Sequence, residues 1–182
     1  MKSLRFVSLS VLMLLGLTLL GACSEAASKP TAAPAAALSK FALTKDPGAA
    51  IGVVAAKQKG AVDRIVVQGR VHNITKGFAV MKLMDTALDY CGQTNKEDKC
   101  PTPWDYCCDS RDTQIANSLL VEVRGADGRP LPTPSLPNMR LCDLVKVLGK
   151  LIVDEHGNPI LLADGLFQVE RPQLPDYVKW PQ

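Results

Sequence analysis

The chain has 182 residues, 47% of them hydrophobic and 21% charged, with six cysteines and a formal net charge of +3. Of its 21 basic residues, set against 18 acidic ones, Lys2 and Arg5 fall in the N-terminal segment, so the remainder is close to neutral. That balance argues against a dedicated nucleic-acid binder, whose affinity comes largely from neutralised phosphates, and against a polybasic membrane patch.

Lys2 and Arg5 form a short basic start, and an apolar run from Phe6 to Leu20 follows, broken only by Ser8, Ser10, Gly16 and Thr18. A basic start, an apolar stretch and then small residues predict a secretory signal peptide over residues 1–22. The run is shorter than the roughly 20 residues that a transmembrane helix requires. The string Leu20-Gly21-Ala22-Cys23 resembles the lipobox of bacterial lipoproteins. In that family the cysteine sulfur receives a diacylglyceryl group, the signal is cut before it, and the new amino terminus is acylated, typically with palmitate. The resemblance therefore implies a lipid-anchored protein of the cell envelope, held to the bilayer through acylated Cys23. Several acyl chains together give stable residence where one gives little. Ser24, rather than Asp, in the next position implies the outer membrane, facing the periplasm.

Residues 23–40 then form a tether rich in Ala, Ser, Pro and Lys, too poor in large apolar groups to build a core. One domain is expected over residues 41–170, with a Pro-containing tail over 171–182. Asp46 as N-cap, Pro47 as first helical residue and Gly60 as stop predict a short helix ending at Lys59. Arg64 to His72 is β-branched and predicts a strand. Asn73-Ile74-Thr75-Lys76-Gly77 is turn chemistry, and Phe78 to Asp85 predicts the second strand of a hairpin. After the aperiodic segment from Thr86 to Thr113, Asp112 to Asn117 reads as one helical turn. Leu119 to Arg124 predicts the third strand. The connection holding Pro130, Pro132, Pro134 and Pro137 is expected to be extended. Leu144 to Val153 and Ile160 to Val169 predict a closing hairpin.

Five strands, a meander of three and a hairpin of two, match an OB-fold barrel: an all-β domain with short helices and a cysteine-rich loop insertion. Val66-Val67-Gln68-Gly69-Arg70-Val71 and Lys146-Val147-Leu148-Gly149-Lys150-Leu151 share one design, an apolar strand with a glycine before a basic residue. A small barrel places glycine where its strands bend sharply to close. Two unrelated strand glycines in a β-sandwich are the alternative. The order of lipobox, Ala-rich tether, short helix and these two glycine strands resembles bacterial OB-fold lipoproteins. The string Cys100-Pro101-Thr102-Pro103-Trp104-Asp105-Tyr106-Cys107-Cys108 resembles a loop motif of planctomycete-type members. The likeness covers most of the chain after the tether and implies architecture and location, not an activity. One departure stands out: OB-folds usually carry a helix between the third and fourth strands, where this chain has prolines.

Cys91, Cys100, Cys107 and Cys108 cluster in the loop, and Cys142 lies apart from them. Export places them in an oxidising compartment, where thiols pair. A bond between adjacent Cys107 and Cys108 would close a strained ring, so two disulfides crossing Cys91 and Cys100 with Cys107 and Cys108, in either order, are expected. The alternatives are a metal site for zinc, copper or an iron–sulfur cluster on the same four cysteines, or a thiol-redox pair. The spacing lacks the Cys-x2-Cys knuckles of familiar zinc sites. Cys142 is expected as a buried thiol acting as a small hydrophobe. Trp104 and Tyr106, with Asp105 between them, form either an exposed binding platform or the loop's own miniature core. Asp105 suits a cation or a turn cap.

His72, at a strand end, and His156, in a turn, read as surface polar residues. No nucleophile elbow, phosphate-cradling loop, metal-histidine pair or dinucleotide fingerprint is present. The sequence thus points to a non-enzymatic binding or interaction module without a cofactor. Its expected partners are the lipid bilayer and envelope proteins or glycans, with no nucleic acid. A metal or redox protein and an OB-fold binder of oligosaccharide or nucleic acid are the competing readings.

Overall fold

Alternation along Val62–Ile74 buries Ile65, Val67 and Val71 and turns Val66, Gln68 and Arg70 the other way, the two-residue period of a strand with one face on a core. The computed structural model describes residues 39–94, 100–133, 136, 139–173 and 176–177. The expected signal peptide, Cys23 and the tether up to residue 38 lie outside the described residues.

The elements are β1 (Ile51–Gly52), α1 (Val53–Lys59), β2 (Val62–Ile74), β3 (Gly77–Phe78), β4 (Val80–Met84), α2 (Cys91–Thr94), α3 (Arg111–Ala116), β5 (Ser118–Glu122), β6 (Pro132–Thr133), β7 (Leu144–Val153) and β8 (Pro159–Glu170). Antiparallel pairing links β2 to β4 and β4 to β5, β5 runs parallel to β8, and β8 returns antiparallel to β7. β7 then pairs with β2 and closes the barrel. Five long strands in this circular order make an OB-like all-β barrel, with β1 added parallel to β2. Its interior is filled by Val67, Val71, Leu83, Val121, Val147, Leu151 and Leu161.

Gly69 and Gly149 sit where strands come too close for a side chain. A Cβ on Gly69 would stand 2.8 Å from the Met84 carbonyl oxygen, and one on Gly149 would run into the Leu162 carbonyl. The β7–β8 register also shifts between Leu148 and Gly149. These are bending points of a closed sheet, as the paired glycine strands suggest.

The first helix starts six residues later than expected. Gly48 has φ +104°, a conformation no right-handed helix accepts, and the Asp46 carboxylate is taken by Lys146 Nζ and the Gly48 N–H. Asp85, at the end of β4, supplies the cap instead: its Oδ2 accepts the Val54 N–H at 2.8 Å. Gly52 leaves room for that carboxylate, since a Cβ there would stand 2.8 Å from Asp85 Oδ2. Helix α1 sends Val53 and Ala56 into the core and touches both β2 and β5, which are not neighbours. It therefore spans between strands of the barrel, and the helix expected of an OB-fold after the third strand is absent among the described residues. The second strand is also split. Phe78 turns out to pair β3 with β6, while the Ala79 N–H bonds to Leu131 O.

Candidate functional site

The loop joining β4 to β5 is shaped by backbone contacts that its sequence permits. The Cys91 N–H donates to Asp105 O at 2.8 Å and the Gly92 N–H to Pro103 O at 2.7 Å. Gly92 makes this clasp possible, because a Cβ would stand 2.8 Å from Pro103 Cβ. Ser110 caps α3 by accepting the Thr113 N–H at 3.1 Å. Gln114 Nε2 donates to the carbonyls of Tyr106 and Asp109, at 2.9 and 3.1 Å. Helix α3 is thereby fixed to the cysteine loop.

Tyr106 holds the loop to the barrel. It is 1% exposed, and its ring meets His72 of β2 edge-on. An exposed platform therefore excludes Tyr106, which is the loop's core. Trp104 is half-buried, and its carbonyl accepts the Cys142 thiol at 3.5 Å. Asp105 Oδ1 accepts the Tyr106 N–H at 2.7 Å, a contact with its own neighbour in the chain. Cys142 is buried, with φ +65°, and burial pushes its thiol up to about 12.

Three of the four loop cysteines come together, and Cys108 follows Cys107 directly in the chain. The Sγ atoms of Cys91, Cys100 and Cys107 all lie within 4.8 Å of one another. Cys100 and Cys108 act electrostatically on Cys91, and Cys108 acts on Cys107. The expected crossed disulfides are not formed among the described residues. Burial first, and then the Cys100 and Cys108 thiols, push Cys91 up to about 12, because a thiolate there would face desolvation and its neighbours' sulfurs. Cys107 is shifted upward as well, by desolvation and by Cys108. The Thr102 hydroxyl lies 3.7 Å from Cys100 Sγ.

A cleft of about 210 Å³ adjoins the loop, lined by His72, Lys82, Met84, Arg111, Gln114, Ile115 and Ser118. Lys82 and Arg111 are exposed and, among the described residues, make no ion pair. His72 is not the surface residue expected: its Nδ1 is buried and has no hydrogen-bond partner among the described residues. Burial, reinforced by the Lys82 charge and opposed by Asp105, holds its pKa below the ordinary histidine value. Strand parity was the one signal for its position, since Val71 faces the core and His72 must face the other way. His156 stays exposed in its turn. His72 and Gln114 line the cleft and touch Tyr106 of the loop, so the two features share a wall.

No family model matches this sequence, and no curated protein matches it.

Proposed function

We propose that the protein is an exported lipoprotein, held to the outer membrane by acylated Cys23, whose barrel acts as a non-enzymatic binding module of the cell envelope. The observation that supports binding is the cleft over β2, β4 and β5. Lys82 and Arg111 both line it without an acidic partner among the described residues. Two uncommitted cations favour a ligand bearing carboxylate or phosphate, while Met84 and Ile115 offer apolar surface for its carbon skeleton. Ser118, the hydroxyl in the lining, donates to Ile115 O and is committed to structure. The second and third long strands are also where OB-like barrels present ligands. An acidic envelope glycan meets this chemistry.

Full-length protein expressed with its leader should incorporate labelled palmitate, and Cys23→Ser should abolish the label. Unchanged labelling in that variant overturns the anchor. Protein extracted from membranes should bind uronic-acid oligosaccharides in calorimetry. Lys82→Ala combined with Arg111→Ala should weaken binding by about tenfold or more, since a hydrogen bond to a charged group contributes about 1.5 kcal/mol or more. Binding indifferent to both charges overturns the cleft.

A further inference from the structure

A disulfide sorts sulfurs into pairs, and the loop thiols are not sorted. Cys91 lies beside two thiols at once, those of Cys100 and Cys107. Three Sγ atoms, of Cys91, Cys100 and Cys107, share one space within 4.8 Å. Zinc holds thiolate sulfur at about 2.3 Å in a tetrahedron, whose sulfur–sulfur edges are then about 3.8 Å. A contraction of roughly 1 Å brings these three sulfurs to the edge length of such a tetrahedron.

The backbone explains how a spacing without Cys-x2-Cys knuckles gathers its sulfurs. The clasp of Cys91 and Gly92 on Asp105 and Pro103 folds the first arm back on the second. The turn closed by the Asp109 N–H on Tyr106 O carries Cys107 to the other two sulfurs and sets Cys108 next to it in the chain, in position to supply a fourth donor. Thr102 stands beside Cys100 Sγ with a hydroxyl able to donate to a thiolate, the kind of outer-shell bond that orients a metal ligand.

We infer that Cys91, Cys100, Cys107 and Cys108 form a metal site, a closed tetrathiolate centre for zinc(II) that locks the loop on the barrel. Four soft donors exclude the oxygen-preferring magnesium and calcium. With four sulfurs bound, no position stays open, so the centre is structural rather than hydrolytic. As the four zinc–sulfur bonds form, the four thiol protons leave to water, and no electrons are transferred. The site goes beyond the cleft reading and does not depend on it.

The test uses the full chain, extracted from membranes without reductant, and measures metal by elemental analysis and thiols by alkylation under denaturing conditions. One zinc per chain is expected, with the four cluster thiols becoming reactive only after chelation. Cys100→Ser should reduce zinc content at least about tenfold, and Cys142→Ser, outside the cluster, should retain it. A metal-free chain about 4 Da lighter than its reduced form carries two disulfides and overturns the site. Copper in place of zinc overturns the zinc assignment, and equal zinc loss in Cys142→Ser overturns the ligand set. Where Cys100→Ser fails to fold, cobalt(II) titration of the unsubstituted chelated protein decides. Thiolate-to-metal charge-transfer bands saturating at one equivalent support the centre, and their absence overturns it.

Discussion

The ring of His72 meets the ring of Tyr106 edge-on, with 5.1 Å between centroids and 83° between planes. One residue belongs to the barrel wall and the other to the cysteine loop, so this contact joins the proposed ligand cleft to the cluster beside it. Gln114 repeats the link, lining the cleft while donating to Tyr106 O. Anything that loosens the loop should therefore be felt at the cleft.

Acidification should expose the histidine half of that contact. The folded-state pKa of His72 lies below its unfolded value, first through burial and then through Lys82, with Asp105 opposing. A depressed base takes up its proton more readily in the unfolded chain. Stability is then fully present above about pH 6.5, the unfolded value, and falls as pH drops below it. His72→Gln should flatten this slope in urea melts run across that range. An unchanged slope in the variant would assign the effect to another group.

Tyr106 separates ring from hydroxyl. The ring is fully buried, so Tyr106→Ala should cost about 3–5 kcal/mol through lost burial and the cavity left behind. Its Oη is buried and has no hydrogen-bond partner among the described residues, and Tyr106→Phe should therefore stay within about 1 kcal/mol of the parent or exceed it. Chemical denaturation of both variants checks the difference, and a large loss in Tyr106→Phe would reveal a partner for the hydroxyl.

The barrel glycines should differ in severity. Gly149 faces the Leu162 carbonyl more closely than Gly69 faces its neighbours, and part of the Gly69 contact is with the Val53 and Leu83 side chains. Side chains yield more easily than a paired backbone. Gly149→Ala should cost about 2 kcal/mol or more, and Gly69→Ala less. Thermal melts that rank them in the opposite order would contradict the closure geometry.

The barrel was legible because its signals are local. Strand alternation from Ile65 to Val71 and the two glycines before basic residues already carry the architecture. The start of α1 was not, because Asp46 is a fitting cap by sequence alone. Its carboxylate is drawn off by Lys146, a hundred residues away, and the cap comes from Asp85, 31 residues beyond the Val54 it caps. The four loop cysteines were legible as a group, but their mutual geometry depends on the clasp of Gly92 on Pro103, which no periodicity reveals. His72 was misread for the same reason. Parity turns it away from the core, and only the folded loop buries it again.

Asp143 and Arg171 offer the sharpest test of a feature that sequence reasoning left out. Asp143 is completely buried, and Arg171 grips it twice, Nε to Oδ1 at 2.8 Å and Nη2 to Oδ2 at 2.7 Å. The Arg140 N–H adds a third bond to Oδ2. Arg171 is the first residue of the expected tail, so the pair carries the folded unit past β8. Removing one partner of a buried pair leaves an uncompensated charge, whereas neutralising both removes that penalty. Arg171→Met should cost about 2–4 kcal/mol, reduced from the fully buried case because the guanidinium is partly exposed. Arg171→Met combined with Asp143→Asn should recover part of the loss, because the amide can still accept the Arg140 N–H. Urea denaturation of the two single variants and the double variant gives the coupling directly. Additive losses would show that the pair is incidental, and a double variant more stable than Arg171→Met would show that the buried charge is what Arg171 holds in place.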